Sequence, residues 1–207
     1  MQNYTTYLTK EKLQEDPNAP IVYLIHGRAG NFDVMWTFRR CIPETFSIMA
    51  PQAQIPDPVG GFSWWQVQPI LADRKTANDE ATKLLNFFKE YEAKNNLKPK
   101  QRVAFGFSQG SAILSLILQQ EPEFFTGVAL LAGFVIEYGE ADFQNKVLPR
   151  IFMAHGNEDQ IVPIDKAYSS KERLEQWGFP VEFHEDAVGH KVGAPGMRAL
   201  TNWMQSI

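Results

Sequence analysis

Residues 102–120 read RVAFGFSQGSAILSLILQQ. An apolar run ends at Phe107, and a segment that is apolar on nearly every side begins four residues later, at Ser111. The first reads as a buried strand and the second as a largely buried helix. Ser108 stands at the join, with Gly106 and Gly110 two residues to either side. A strand-to-helix turn this tight pushes its central residue toward strained backbone angles. It also brings the two backbones so close that flanking side chains would clash, which is what the glycines avoid. In this setting G-x-S-x-G predicts a nucleophile elbow, with the serine hydroxyl raised at the top of a sheet. The helix N-terminus behind it adds free N–H groups and a positive partial charge. A helix cap is the plainer use of the same residues, and the strand and helix on either side favour the elbow.

The rest of the chain alternates in the same way. IVYLIH (21–26), FSIMAP (46–51), GVALLAG (127–133), RIFMAH (150–155) and VEFHE (181–185) are further strand segments. Ala77, Ala81, Leu84, Leu85 and Phe88 form an apolar helical stripe, and helices are also expected from Pro163 to Trp177 and over 195–205. Residues 52–74, with several prolines and glycines, read as a long loop. Alternating buried strands and helices predict an α/β fold, a mostly parallel central sheet with helices on both faces. A chain of 207 residues without a Pro/Ser-rich or charged linker is expected to be a single domain, 1–207. Ligands of such sheets bind beyond the carboxyl ends of the strands, so the residues just past each strand matter most.

Composition narrows the function classes. A net charge of −4 argues against nucleic acid as a partner, because phosphate binding wants a basic face. One cysteine, Cys41, forms no internal disulfide and no C-x-x-C zinc site, and it fits a reducing cytoplasm. It reads as a buried small hydrophobe. The polar N-terminus has no apolar signal core, and GVALLAGFVI (127–136) is too short to span a bilayer. No stable membrane insertion is expected.

Ser108 needs a base, since a serine hydroxyl is a poor nucleophile alone. Of the four histidines, His26 and His155 close strands and read as structural or packed, and His184 lies inside a strand. His190 sits in DAVGHKVGAPG, a glycine-flanked loop that can reach over the sheet edge, and is the best candidate. The base in turn needs a carboxylate to fix its tautomer. MAHGNEDQIVP offers Glu158 and Asp159 just past a strand. Asp159 is preferred because the apolar IVP behind it pins the loop, and Asp57 and Asp165 are weaker alternatives. The order Ser108, Asp159, His190 is that of the α/β-hydrolases. An oxyanion requires two N–H donors. The backbone N–H of Gln109 is one, and that of Arg28 in HGRAGN is the other. The Arg28 side chain has two open destinations, solvent or an anionic part of a substrate.

These segments resemble the phospholipase/carboxylesterase family of α/β-hydrolases, which includes acyl-protein thioesterases. LIHGRAGN is similar to its oxyanion loop and GFSQGSA to its elbow, where the glutamine is distinctive. MAHGNEDQIVP is similar to its HG-x-x-D-x-x-V-P acid motif and VGH to its histidine loop. The motifs run in order from residue 21 to 190, and HGRAGN departs from the HGLGD of the thioesterase branch. The resemblance implies an α/β-hydrolase fold and serine esterase activity without metal or organic cofactor.

The short chain leaves little room for a separate cap domain, and none is expected. The loop around GGFSWW (60–65) is therefore expected to wall the substrate pocket, with at most one of Trp64 and Trp65 lining it and Phe134 alongside. Packing of a long loop is the competing role for the two tryptophans. The expected substrate is a small-molecule ester with a short or medium acyl chain. A thioesterase or lysophospholipase, and a non-catalytic ligand-binding protein on the same fold, are the alternatives. An exposed aromatic near Trp64 would also permit a homodimer.

Overall fold

The computed structural model describes residues 7–66 and 74–207. Seven strands form the main sheet. They are β1 (Leu8–Lys12), β2 (Ile21–Ile25), β3 (Ser47–Gln52), β6 (Arg102–Phe107), β7 (Gly127–Leu131), β8 (Arg150–Gly156) and β9 (Val181–Asp186). Their order is β1-β3-β2-β6-β7-β8-β9. Only β1 runs antiparallel to its neighbour, and the other pairs are parallel. β4 (Ile55–Pro56) and β5 (Phe62–Ser63) make a separate hairpin. The helices are α1 (Phe32–Met35), α2 (Arg74–Lys94), α3 (Gln109–Gln120), α4 (Ile164–Gln176) and α5 (Ala194–Gln205). This is the α/β-hydrolase arrangement.

Burial on both faces explains why the central strands read as continuous apolar runs. Ile21, Tyr23 and Ile25 of β2 face a core shared with α2, α3 and α4. Val22 and Leu24 face the opposite core, with Trp203 and Met204 of α5 and Cys41. One charged side chain enters the first core. Glu92 of α2 accepts two bonds from Arg102, 2.8 Å from Nε and 2.7 Å from Nη2, and a third from the Tyr23 hydroxyl. That network ties α2 to β2 and β6, and it holds Glu92 at 6% exposure.

Three local features differ from the sequence expectation. β1 was not anticipated, because LTKEK holds one apolar residue, Leu8, and four polar ones; its pairing with β3 at the sheet edge, not burial, makes it a strand. Residues 52–66 are not one unbroken loop but contain the β4–β5 hairpin. The short α1 lies in a stretch that carried no periodicity, and it forms because Asn31 caps it by accepting from the N–H groups of Asp33 and Val34. The part of the expected 52–74 loop at 67–73 lies outside the described residues.

Candidate active site

The turn between β6 and α3 carries the strain that the sequence implies. Ser108 has φ 51° and ψ −113°, a left-handed backbone rare for a residue with a Cβ. Close packing holds it there. A Cβ on Gly110 would lie 2.2 Å from the Ile25 carbonyl oxygen, and one on Gly106 would lie 2.4 Å from that of Gly110. The Ser108 N–H donates to Leu131 O at 2.8 Å, and Ser108 O accepts from Ser111 N at 2.9 Å. Ser111 then braces the turn, donating to Gly106 O and accepting from Leu131 N.

The loops after β8 and β9 bring the acid and the base together. The His190 Nδ1–H donates to Asp159 Oδ2 at 2.6 Å. Asp159 Oδ1 accepts from the N–H groups of Ile161 at 2.8 Å and Val162 at 2.9 Å. The Asp159 side chain is fully shielded, whereas that of His190 is 21% exposed and free to meet a substrate. Burial opposes ionisation of Asp159. The bonds from His190, Val162 and Ile161 outweigh it, so its carboxyl stays below the usual range. The His190 ring lies 5.1 Å from that of Phe107, the residue before Ser108. With Nδ1–H engaged, the neutral imidazole keeps Nε2 as an acceptor.

The other sequence candidates lie elsewhere. Glu158 is exposed, and Asp165 is exposed on α4. His26 is buried among β2 and its neighbours, donating from Nδ1 to Gly27 O at 2.7 Å and accepting at Nε2 from Ala53 N at 3.0 Å. Burial lowers its pKa to about 4, so it stays neutral. His155 is buried beneath the acid, with Nε2 donating to Val162 O at 2.8 Å and lying 3.4 Å from Asp159 Oδ2. His184 is stacked on Phe152 and pairs with Glu182.

The HGRAGN loop is clamped from outside. Gly30 and Phe62 exchange backbone hydrogen bonds, joining the loop to β5. Among the described residues, the backbone N–H groups of Arg28 and Gln109 donate to no backbone acceptor. The Arg28 side chain is half-exposed and pairs with Asp57. Its Nε donates to Asp57 Oδ2 at 2.9 Å, and Asp57 also accepts from Ser63 Oγ at 2.8 Å and Val59 N at 3.1 Å. The Arg28 guanidinium, helped by Val59 N–H, lowers the Asp57 carboxyl to about 2. A depressed carboxylate pKa contributes stability above the unfolded value of roughly 4. That contribution disappears as pH falls through about 2. The Asp57 carboxyl carbon is therefore expected to titrate near pH 2 by NMR, and to move back toward the ordinary range in Arg28→Ala. An unchanged midpoint in the variant would show that Arg28 does not hold it.

Sequence reasoning missed two parts of this scaffold. The Gln109 side chain accepts from Trp64 N at 2.9 Å and donates to Trp65 O at 3.0 Å, tying the GGFSWW segment to the elbow helix. The unusual glutamine after the serine was the available signal. Asp186 Oδ2 accepts from Gly193 N at 2.9 Å and Gly196 N at 3.1 Å, which fixes both ends of the His190 loop. Nothing in local spacing marks it, because it caps α5 from well upstream. Trp64 and Trp65 are both buried. Trp64 donates from Nε1 to His26 O at 2.8 Å, with Tyr7 5.8 Å from its ring. Among the described residues, no group of three or more His, Cys, Asp or Glu side chains is placed to hold a metal ion. No described helix is long and apolar enough to cross a membrane.

A family model described as phospholipase/carboxylesterase matches residues 12–207. Lysophospholipase-like protein 1 of Mus musculus is 21% identical over 149 residues, covering 69% of this chain and 62% of that protein. Acyl-protein thioesterase 1 of Kluyveromyces lactis is 29% identical over 100 residues, covering 46% of this chain and 43% of that protein. The matches thus span less than two thirds of either relative. The crystal structure of the Bacillus cereus carboxylesterase superposes with a TM-score of 0.87 at 18% identity, over 99% of this chain and 96% of that one. Zea mays acyl-protein thioesterase 2 gives 0.74 at 18% identity, over 97% and 99%. At such identities the structural likenesses speak to the fold. The family match covers nearly the whole sequence, and the chain belongs to the phospholipase/carboxylesterase family.

Proposed function

We propose that the protein is a serine carboxylesterase acting on short- to medium-chain esters. The observation that carries this reading is the His190–Asp159 bond of 2.6 Å, made by a ring 5.1 Å from that of Phe107, the residue before a serine held at φ 51° in a strand-to-helix turn. Ser108 Oγ attacks the ester carbonyl while His190 Nε2 takes its proton. The tetrahedral oxyanion is held by the N–H groups of Arg28 and Gln109, the latter at a helix N-terminus where backbone donors lack intrahelical partners. His190 returns the proton to the leaving alcohol, and the acyl-enzyme forms. Water then attacks the acyl carbon, again giving up its proton to His190, and Ser108 is restored. Asp159 holds Nδ1–H throughout and stabilises the imidazolium. Phe134 flanks the acyl group, and the buried Trp64 and Trp65 support the pocket wall from behind.

A second reading keeps this machinery and changes the bond. The names of the two curated relatives favour a thioester or a lysophospholipid ester as substrate. A p-nitrophenyl ester series from acetate to palmitate tests the first reading. Turnover is expected to be greatest among the short and medium chains. A maximum at palmitate would favour the lipid reading, and no turnover on any ester by the folded protein would overturn the carboxylesterase reading.

A further inference from the structure

A cavity of about 480 Å³ lies between residues 134–137 after β7 and the face of α4 that carries Lys166, Ser170 and Arg173, with Ile161 and Val162 of the acid loop in its wall. Its inner end is apolar. Phe134 follows Gly133, whose Cβ position lies 3.0 Å from Ser108 O, and Ile161 and Val162 follow the acid. Ile161 is 71% exposed, an apolar side chain left at the rim of this opening. Three cations line the same cavity, Arg74, Lys166 and Arg173, against one carboxylate, Glu137.

The two walls fix where those charges lie. Val135 N donates to Ser170 Oγ at 2.8 Å, and Arg173 Nε meets Glu137 Oε1 at 3.0 Å. The 134–137 segment and α4 therefore run side by side, away from the elbow. Arg173 is neutralised at the far end, and Arg74 donates there to the Glu137 carbonyl at 3.5 Å. Lys166 lies one turn before Ser170, roughly 6 Å back along the axis, at the end nearer Phe134 and Asp159. Among the described residues it has no ion-pair partner.

We infer that this cavity receives an anionic arm of the ester, with Lys166 as its anchor. The substrate class is an ester whose acyl or alcohol part carries a carboxylate or phosphate, separated from the reacting carbonyl by a short apolar spacer. The spacer lies on Phe134, Ile161 and Val162, and the anion meets the Lys166 ammonium with Arg74 behind it. The inference rests on the carboxylesterase reading, since it assigns a subsite to that reaction. Lys166 touches none of the reacting atoms and acts on substrate choice alone.

The test compares matched esters in wild type, Lys166→Ala and Lys166→Glu. One pair is mono-p-nitrophenyl adipate and p-nitrophenyl hexanoate. The other is the butyrate ester of 6-hydroxyhexanoic acid and hexyl butyrate. An exposed charge pair is screened by solvent, so the preference at stake is about two- to fivefold in kcat/KM. Lys166→Glu is expected to remove that preference in one of the two pairs and to leave the neutral esters within about twofold. The preference should also shrink as salt rises, because the contact is solvent-accessible. The same ratios in all three proteins would overturn the inference. Calorimetric titration of adipate and of inorganic phosphate into Ser108→Ala, with and without Lys166→Glu, needs no turnover. Loss of anion binding with Lys166→Glu supports the subsite even if every ester is inert, an outcome that would sink only the esterase reading. Tight phosphate binding with no response to adipate would assign the anion to a phosphate group. Binding of either anion that ignores Lys166→Glu would overturn the anchor.

Discussion

Ser108→Ala is expected to lower kcat on a simple ester by about 10⁴-fold or more, with the fold intact. The hydroxyl is the only group removed, and the proposed acyl-enzyme cannot form without it. Residual turnover would come from the oxyanion donors and from binding, which survive the change. Folding should be nearly unaffected. The strain at φ 51° is set by backbone packing against Ile25 and Leu131, and alanine meets it with the same Cβ. Ser108→Gly should remove turnover as fully, yet be more stable than Ser108→Ala, because a left-handed backbone costs a Cβ-bearing residue on the order of 1 kcal/mol. Steady-state rates on p-nitrophenyl butyrate and urea unfolding of the three proteins check both halves. A fall in kcat of less than tenfold would remove Ser108 from the mechanism.

What the sequence made legible was what local physics decides. The run RVAFGF reads as a strand because both its faces are buried, and the glycines at 106 and 110 are explained by the 2.4 and 2.2 Å approaches their missing side chains allow. The meeting of Asp159 and His190 was legible only through topology. β8 and β9 are parallel neighbours, so loops 31 residues apart leave the same edge of the sheet. The preference for Asp159 over Glu158 rested on the apolar IVP behind it; of those residues only Val162 turns inward, its N–H capping the carboxylate, while Ile161 and Pro163 stay exposed. Three features could not be read this way. β1 has no burial pattern to betray it, and its strand geometry comes from a partner 40 residues away. Glu92 sits on the apolar stripe of α2, where a charge is acceptable only because Arg102 and Tyr23 wait in the sheet. The Arg28–Asp57 clamp joins two loops that no periodicity connects.

Asp159→Asn should cost nearly as much as the loss of the serine, about 10³- to 10⁴-fold in kcat, with little change in KM. An asparagine oxygen can still accept from the Ile161 and Val162 N–H groups at the position of Oδ1, so the loop should stay in place. The amide then presents its NH₂ where Oδ2 stood, and a donor faces the His190 Nδ1–H. The imidazole relieves that clash by moving its proton to Nε2, the atom that has to accept from Ser108. It keeps its position and loses its function as a base. Stability should respond differently from activity. The wild-type carboxyl is held below the usual carboxylate range, so it contributes stability above roughly pH 4. That contribution is lost as pH falls through the lower folded value, and Asp159→Asn should lack this acid limb. Glu158→Gln, one residue away and exposed, should stay within about twofold of wild type in kcat. The reverse pattern, an active Asp159→Asn beside an inactive Glu158→Gln, would move the acid to Glu158 and leave the 2.6 Å bond to His190 without a catalytic role.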